Sequence, residues 1–306
     1  MRDPLSIMPT DIPQPISSVP ALTLRSIVVG FAEGPSGVRA FRAAMEIHRS
    51  SHADVVLVRS IPRPWGVVDI SYADLAIEVL ESAHASLLRE ANTINSDSPK
   101  VSFRLKVGFE TPDDLLLAAA RDNDADLVVV GCDDRDAVET LAFGSVSRSI
   151  ALACTCPVLV LSPECVSVLA HAGPVLFASD LRDTGIRAAE YARAIAERCD
   201  CQLIALHSMD LIPSAASERV WHEERAREQL RIALGYEAGA DPTRYQITSG
   251  NPAEEILAEA LRQHASLIVL GGGKHSAGTD HLPWETLGRV LRSSSCPVLV
   301  IPVNSK

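Results

Sequence analysis

An internal repeat constrains the fold of this chain more than any other feature of its sequence. Ala-Asp-Leu-Val-Val-Val-Gly at 125–131 recurs as Ala-Ser-Leu-Ile-Val-Leu-Gly at 265–271, an offset of 140 residues. Cys-Pro-Val-Leu-Val at 156–160 recurs at 296–300 with the same offset. One offset that holds for separate motifs indicates that the chain contains two copies of one structural unit.

The offset is larger near the start of each copy, where residues 53–60 align with 201–208 at an offset of 148. Since the offset falls from 148 to 140, the second copy lacks eight residues between Ser208 and Gly250. The first-copy segment 61–71 accounts for most of this difference. The duplication therefore predicts two units of the same fold that differ mainly in one loop.

The length of 306 residues fits two domains of roughly 150 residues each. We predict a first domain at 24–163, a linker at 164–173 and a second domain at 174–303. Residues 1–23 contain five prolines and no hydrophobic signal core, which predicts a flexible tail.

Charge and hydropathy argue against two classes of partner. The net charge of −11 disfavours nucleic acids and anionic membrane surfaces, because both bind clustered Lys and Arg. No apolar run reaches the roughly 18 residues that a membrane span requires. We therefore predict neither a nucleic-acid partner nor a membrane partner.

The cysteines favour a reduced compartment. Seven is an odd number, and a chain of this size folds without disulfides, so we expect a cytoplasmic protein. Cys154/Cys156 and Cys199/Cys201 are C-x-C pairs, which we expect to be too close for easy intrachain disulfides. The sequence favours ordinary buried thiols at these positions.

Short β-branched runs alternate with amphipathic segments, which predicts β-α-β units around a parallel sheet. The predicted strands of the first copy lie at about 25–31, 54–60, 101–107, 126–131 and 157–161, and those of the second at about 174–179, 202–207, 243–248, 266–271 and 297–301. Thr111-Pro112 and Asn251-Pro252 each predict a helix start, because an N-cap side chain precedes proline. Residues 218–238 predict a charged surface helix.

With these motifs the chain resembles the universal stress protein family in its tandem two-domain form. The resemblance rests on the strand at 125–131, the helix start Gly144-Ser145-Val146-Ser147 and the terminal Cys-Pro-Val-Leu-Val strand. It implies an α/β fold of two tandem doubly wound domains, each with a five-stranded parallel sheet (adenine nucleotide alpha hydrolase-like). Family members pair through the last strand, so the two copies are expected to form an internal pseudo-dimer. Whether that unit pairs again as a homodimer is left open.

Many nucleotide-binding members of the family carry Gly-x-x-Gly, nine residues and then Gly-Ser or Gly-Thr, with an acid at the end of the first strand. The glycines let backbone amides approach phosphate, and the acid holds the adenine or sugar side. In the first copy Gly131 and Gly144-Ser145 keep this spacing, while Asp134 replaces the second glycine and Ala32 stands at the acidic position. These changes predict weak ATP binding or none, with residual binding at Gly131, Gly144 and Ser145.

The second copy has lost other parts of the motif. Asp180 keeps the strand-end acid and Gly271 the first glycine, whereas Lys274 replaces the next glycine and Trp284-Glu285 replace Gly-Ser. A bulky indole and a carboxylate at that helix start would obstruct phosphate. Because the two remnants are expected on separate sheets, they should not build one site.

Other candidates have simpler structural interpretations. His264, His275 and His281 lie near Asp280, but their spacing matches no compact metal motif, so no metal site is predicted. Cys132 follows Gly131 at the mouth of the predicted crevice, where a helix end could lower the pKa of its thiol, so a redox-sensing role is a second interpretation of this residue.

Trp65, within 61–71, either stacks on a ligand or folds back onto the core, and the sequence does not separate the two.

The sequence thus supports two functional hypotheses. The first is a non-enzymatic stress-response protein that binds an unidentified protein partner or stabilises a complex, with degenerate nucleotide sites and no cofactor or only weakly bound ATP. The second is an ATP-binding switch that uses the first domain and hydrolyses ATP slowly at most. Degradation of the glycine motif in both copies favours the first.

Overall fold

The structure is a computed structural model of the chain, and it describes residues 23–61, 73–94, 103–132, 145–165, 173–182, 185–209, 216–236, 241–272 and 283–302. The predicted tail lies outside these ranges except for Thr23. The predicted linker is described only at its two ends, and the segment 61–71 only at Ile61.

Within the described ranges, the first copy alternates five strands with four helices. In chain order these are β1 (Ser26–Gly30), α1 (Pro35–Ser51), β2 (Asp54–Ser60), α2 (Ala73–Ile94), β3 (Phe103–Gly108), α3 (Pro112–Asp122), β4 (Leu127–Gly131), α4 (Ser145–Ala153) and β5 (Val158–Leu161).

The described part of the second copy repeats this order. Its elements are β6 (Val175–Ala178), α5 (Ile186–Cys199), β7 (Leu203–Met209), α6 (Ala216–Ala233), β8 (Arg244–Ser249), α7 (Pro252–Arg262), β9 (Leu267–Gly272), α8 (Pro283–Ser293) and β10 (Val298–Pro302). All ten predicted strands are present, with ends within about two residues of the predicted ones.

The ten strands form one continuous sheet in the order β3-β2-β1-β4-β5-β10-β9-β6-β7-β8. Within each copy neighbouring strands are parallel. The copies meet where β5 and β10 pair antiparallel, with Leu159 opposite Leu299. Each copy therefore contributes five parallel strands, as predicted, but the expectation of two separate sheets was wrong. β5 and β10 each form one edge of their own five-stranded set. Their backbone N–H and C=O groups on that edge are satisfied because the two strands pair with each other.

Apolar residues cover both faces of this sheet, and each face has its own core that runs through both copies. Val28, Val128 and Val158 point toward the layer of α3, α4, α7 and α8. Val129 and Leu159 point toward the layer of α1, α2, α5 and α6. Because strands buried on both faces need apolar residues at nearly every position, these strands read as continuous β-branched runs in the sequence.

The predicted helix starts are confirmed at α3 and α7. The Thr111 side chain accepts a hydrogen bond from the Asp114 N–H, and the Asn251 side chain accepts from Ala253 and Glu254 N–H groups. These caps satisfy amide groups that the first turn of a helix leaves without an internal partner. The predicted surface helix at 218–238 is α6, which ends five residues earlier than expected, before Gly235 in the left-handed region (φ 69°).

Candidate nucleotide crevices

Each copy has a switch point in strand order at the carboxyl ends of its strands. In the first copy β1 leads into α1 on one face of the sheet, whereas β4 leads toward α4 on the other. β6 and β9 repeat this divergence in the second copy. In open α/β sheets ligands bind in the crevice that such a divergence creates.

Because β5 and β10 run antiparallel, the strands of the two copies point in opposite directions, and the two crevices open at opposite ends of the strands. Gly131 and Ser145 belong to the first crevice, and Asp180 and Gly271 to the second. That the two remnants build no common site stays a prediction. Its physical basis is the antiparallel junction of β5 and β10, and not a division into two sheets.

Gly131, the last residue of β4, has a packing role in the first crevice. A Cβ at this position would lie 2.2 Å from the backbone oxygen of Ser36 in α1. Only glycine lets the helix approach the strand this closely. The carbonyl of Gly131 also accepts a hydrogen bond from the Ser147 hydroxyl, at 3.3 Å.

The helix that would face a phosphate in this copy begins at Ser145, the first residue of α4. Gly144, the other predicted residue, lies outside the described residues. Asp113 of α3 accepts a hydrogen bond from Ser149 in α4, at 2.9 Å. The Thr111 hydroxyl lowers the pKa of Asp113 by hydrogen bonding, and Ser149 adds to this effect. An ionised carboxylate therefore lies beside α4.

A side-chain network joins the residue after β1 to the end of β2 and to α2. Arg59, at the end of β2 and 6% exposed, donates from Nε to the Phe31 carbonyl at 3.1 Å. Its Nη2 atom donates to the Glu90 carboxylate of α2 at 2.7 Å. The guanidinium also stacks on the Phe31 ring, 4.8 Å from the ring centroid. The Phe31 N–H is bonded to the Val58 carbonyl, so both backbone polar groups of Phe31 are engaged inside the protein.

A second arginine, in α1, binds the backbone of the residue that follows β4. Arg39 of α1 donates from Nη2 to the carbonyl of Cys132 at 2.7 Å. Cys132 is 7% exposed, and its N–H donates to Leu161 at the end of β5. The structure thus places Cys132 beneath the surface of the crevice rather than at its mouth.

In the second crevice Asp180 follows β6, as predicted, and is exposed. Its Oδ1 atom accepts the Arg182 N–H at 3.1 Å, which closes a local turn. His207 of β7 lies within hydrogen-bonding distance of the Ser179 carbonyl, at 2.9 Å from Nδ1. His207 aligns with Arg59 at the offset of 148, so each copy uses the same position to engage the backbone after its first strand.

Gly271 lies within β9, which continues to Gly272 and pairs with Ile301 and Pro302 of β10. A Cβ on Gly272 would meet Val300 Cγ1 at 2.6 Å and the Ala151 carbonyl oxygen of the first copy at 3.4 Å. Both residues are therefore held in the sheet. Lys274 lies outside the described residues, and Glu285 is exposed in the first turn of α8.

Arg39, Arg59 and Glu90 are residues that sequence reasoning missed. A charged residue at the end of the apolar strand at 54–60 was a signal for Arg59, but nothing in the sequence connects it with Glu90, which is 31 positions away. Among the remaining candidates, His264 is exposed, while His275, His281, Asp280 and Trp65 lie outside the described residues. Within the described ranges no cluster of three or more His, Cys, Asp or Glu could hold a metal ion.

Comparisons with known proteins agree with this architecture. The universal stress protein family model matches residues 23–162 and 172–302. A universal stress protein of Mycobacterium tuberculosis is 28% identical over 262 residues, which cover 81% of this chain and 84% of that protein. A crystal structure of a universal stress protein from Archaeoglobus fulgidus matches with a TM-score of 0.61 at 19% identity, covering 92% of this chain and 98% of that one. This last likeness shows the fold alone.

The fold and its paired crevices thus define a tandem α/β protein with two related halves. The chain belongs to the universal stress protein family, as the resemblance predicted. Membership supports a role in the response to stress. Across the described residues, no helix combines the length and the apolar character that crossing a bilayer would require.

Proposed function

We propose that this chain is a non-enzymatic, cytoplasmic stress-response protein that acts by binding a protein partner or complex, and that its nucleotide crevices bind ATP weakly or not at all. The observation that carries the proposal is the Arg59–Glu90–Phe31 network at the base end of the first crevice. The seven cysteines, all with free thiols, support a reducing compartment.

The network opposes a bound nucleotide for a physical reason. A base entering between β1 and β2 needs backbone donors or acceptors that are free to pair with it, and those of Phe31 already have partners. Displacing Arg59 would separate an almost fully buried guanidinium from its carboxylate. Such a charge is costly when it is left unpaired.

Charge opposes phosphate binding in the second crevice. The N-terminus of α8 carries the exposed Glu285 in its first turn. The positive end of a helix dipole that would attract phosphate is therefore already occupied by a fixed negative charge. Asp180 is used in its own turn, which supports a structural role for this acid.

Calorimetric titration of the nucleotide-stripped protein with Mg-ATP to about 1 mM tests the proposal, together with thermal unfolding at the same concentrations. We expect no saturable heat and no stabilisation. For comparison, a site with a dissociation constant of about 10 µM would stabilise the fold by about 2.7 kcal/mol, since the ligand would be at about 100 times that constant.

Saturable binding near one ATP per chain would contradict the proposal and restore the ATP switch. The variants Ser145→Trp and Asp180→Asn would then separate the two crevices, because the first alters only the first copy and the second only the second. Binding lost in Ser145→Trp alone would assign the switch to the first domain.

A further inference from the structure

Two sulfur atoms lie unusually close together at the end of α4, outside both proposed crevices. The Sγ atoms of Cys154 and Cys156 are 3.3 Å apart and joined by a thiol–sulfur hydrogen bond. Both residues are buried, at 5% and 8% exposure, while Thr155 between them is exposed. A disulfide bond of about 2.05 Å would require the sulfurs to approach by only about 1.2 Å.

We propose that Cys154 and Cys156 are a redox-active dithiol, which a peroxide oxidises to an intrachain disulfide. The sequence had favoured two ordinary thiols that are too close for an easy disulfide. Both thiols are buried in the folded protein, as expected, but the turn after α4 directs the two sulfurs at each other.

The second copy shows what this turn looks like without the pair. Ser294 aligns with Cys154 and Cys296 with Cys156 at the offset of 140. The Ser294 hydroxyl donates to the Cys296 carbonyl at 2.7 Å and accepts the Cys296 N–H at 3.2 Å. The backbone is capped in the same way in both copies, since Cys154 N–H bonds to Ile150 and Ser294 N–H to Val290. In the second copy the Ser294 hydroxyl makes the hydrogen bonds of this turn, whereas the first copy has the Cys154 thiol at that position.

The hydrogen bond also distinguishes the two thiols chemically. The hydrogen bond shared with Cys156 lowers the pKa of the Cys154 thiol. The same bond, together with burial, raises the pKa of Cys156. Because the thiolate is the nucleophile in thiol oxidation, Cys154 is the attacking sulfur and Cys156 the resolving one.

The reaction has two balanced steps. The Cys154 thiolate attacks one oxygen of hydrogen peroxide, the O–O bond breaks, and Cys154 sulfenic acid forms as hydroxide leaves and takes up a proton to become water. Cys156 then attacks the Cys154 sulfur, the S–O bond breaks and a second water leaves. The two thiols lose two protons and two electrons in total, which together are two hydrogen atoms, and the peroxide is reduced to two waters.

The test treats the full-length reduced protein with a small excess of hydrogen peroxide, removes the peroxide and counts thiols after unfolding. We expect the wild-type protein to lose two of its seven thiols, with a mass decrease of two hydrogen atoms that maps to the peptide containing Cys154 and Cys156. Cys154→Ser should show no such decrease. This variant is expected to fold, because the chain itself uses serine at the equivalent position 294.

Cys199→Ser is the matched control. Cys199 and Cys201 have the same spacing, but no hydrogen bond joins their sulfurs in the described part of the chain, and Cys199 is exposed. This variant should still lose two thiols at Cys154 and Cys156. The proposal is overturned if those two thiols stay reduced while others are oxidised, or if they gain oxygen atoms instead of forming a bond. Loss of the same two hydrogens in Cys154→Ser would overturn it as well.

Discussion

Gly131, the last residue of β4, packs directly against the backbone of Ser36 in α1. Gly131→Ala would place a methyl group 2.2 Å from a backbone oxygen that cannot rotate away. We expect a loss of about 1–3 kcal/mol in the free energy of unfolding, the range typical of overpacking. Gly30→Ala is the control, because its Cβ would meet only the side chains of Leu116 and Val130, at 3.2 Å. Equal losses in urea unfolding would refute the packing role.

At the scale of elements, the start of α3 depends on Thr111. Thr111→Ala removes the acceptor for the Asp114 N–H, so we expect a destabilisation of about 1 kcal/mol in chemical unfolding. Thr111→Ser keeps a hydroxyl at the N-cap and should lose much less. If alanine and serine behave alike, the cap contributes nothing measurable.

At the scale of the whole molecule, β5 and β10 turn two five-stranded sets into one sheet. Leu159 and Leu299 are buried opposite each other at this junction. Each change to alanine should cost about 2–5 kcal/mol. Together they should cost less than the sum by at least about 0.5 kcal/mol, since residues in contact are coupled.

A matched pair that is far apart controls this cycle. Leu57 of β2 is buried in the same layer but lies four strands from β10, about 19 Å away at the usual strand spacing of about 4.8 Å. Leu57→Ala and Leu299→Ala should therefore be additive in urea unfolding. Additivity at Leu159 and Leu299 too would mean that the junction does not couple the two copies.

Local signals predicted most of the elements. The β-branched runs identified the eight inner strands, because a strand covered by helices on both faces must be apolar nearly throughout. The edge strands β3 and β8 were also predicted, although they are only half-buried and carry polar residues. Thr111 and Asn251 identified two helix starts, because a cap acts on amides two or three residues away. The position of Gly131 at the end of β4 and that of Asp180 after β6 followed from the repeat in the same way.

These local signals did not predict contacts between segments that lie far apart in the sequence. Arg59 reaches Glu90 across 31 positions, and the Gly131 site is shaped by Ser36, 95 positions away. The 3.3 Å separation of the Cys154 and Cys156 sulfurs was not predicted either, because the direction of these side chains depends on the turn that follows α4.

The sequence by itself determined the duplication, the α/β alternation and the family, since each is written in the spacing of residues along the chain. Only the tertiary structure decided that the two copies share one sheet, that their crevices open at opposite ends of the strands, and that Arg59 binds both the Phe31 carbonyl and Glu90. Periodicity records which residues are buried, whereas strand pairing and side-chain partners depend on which distant surfaces meet when the chain folds.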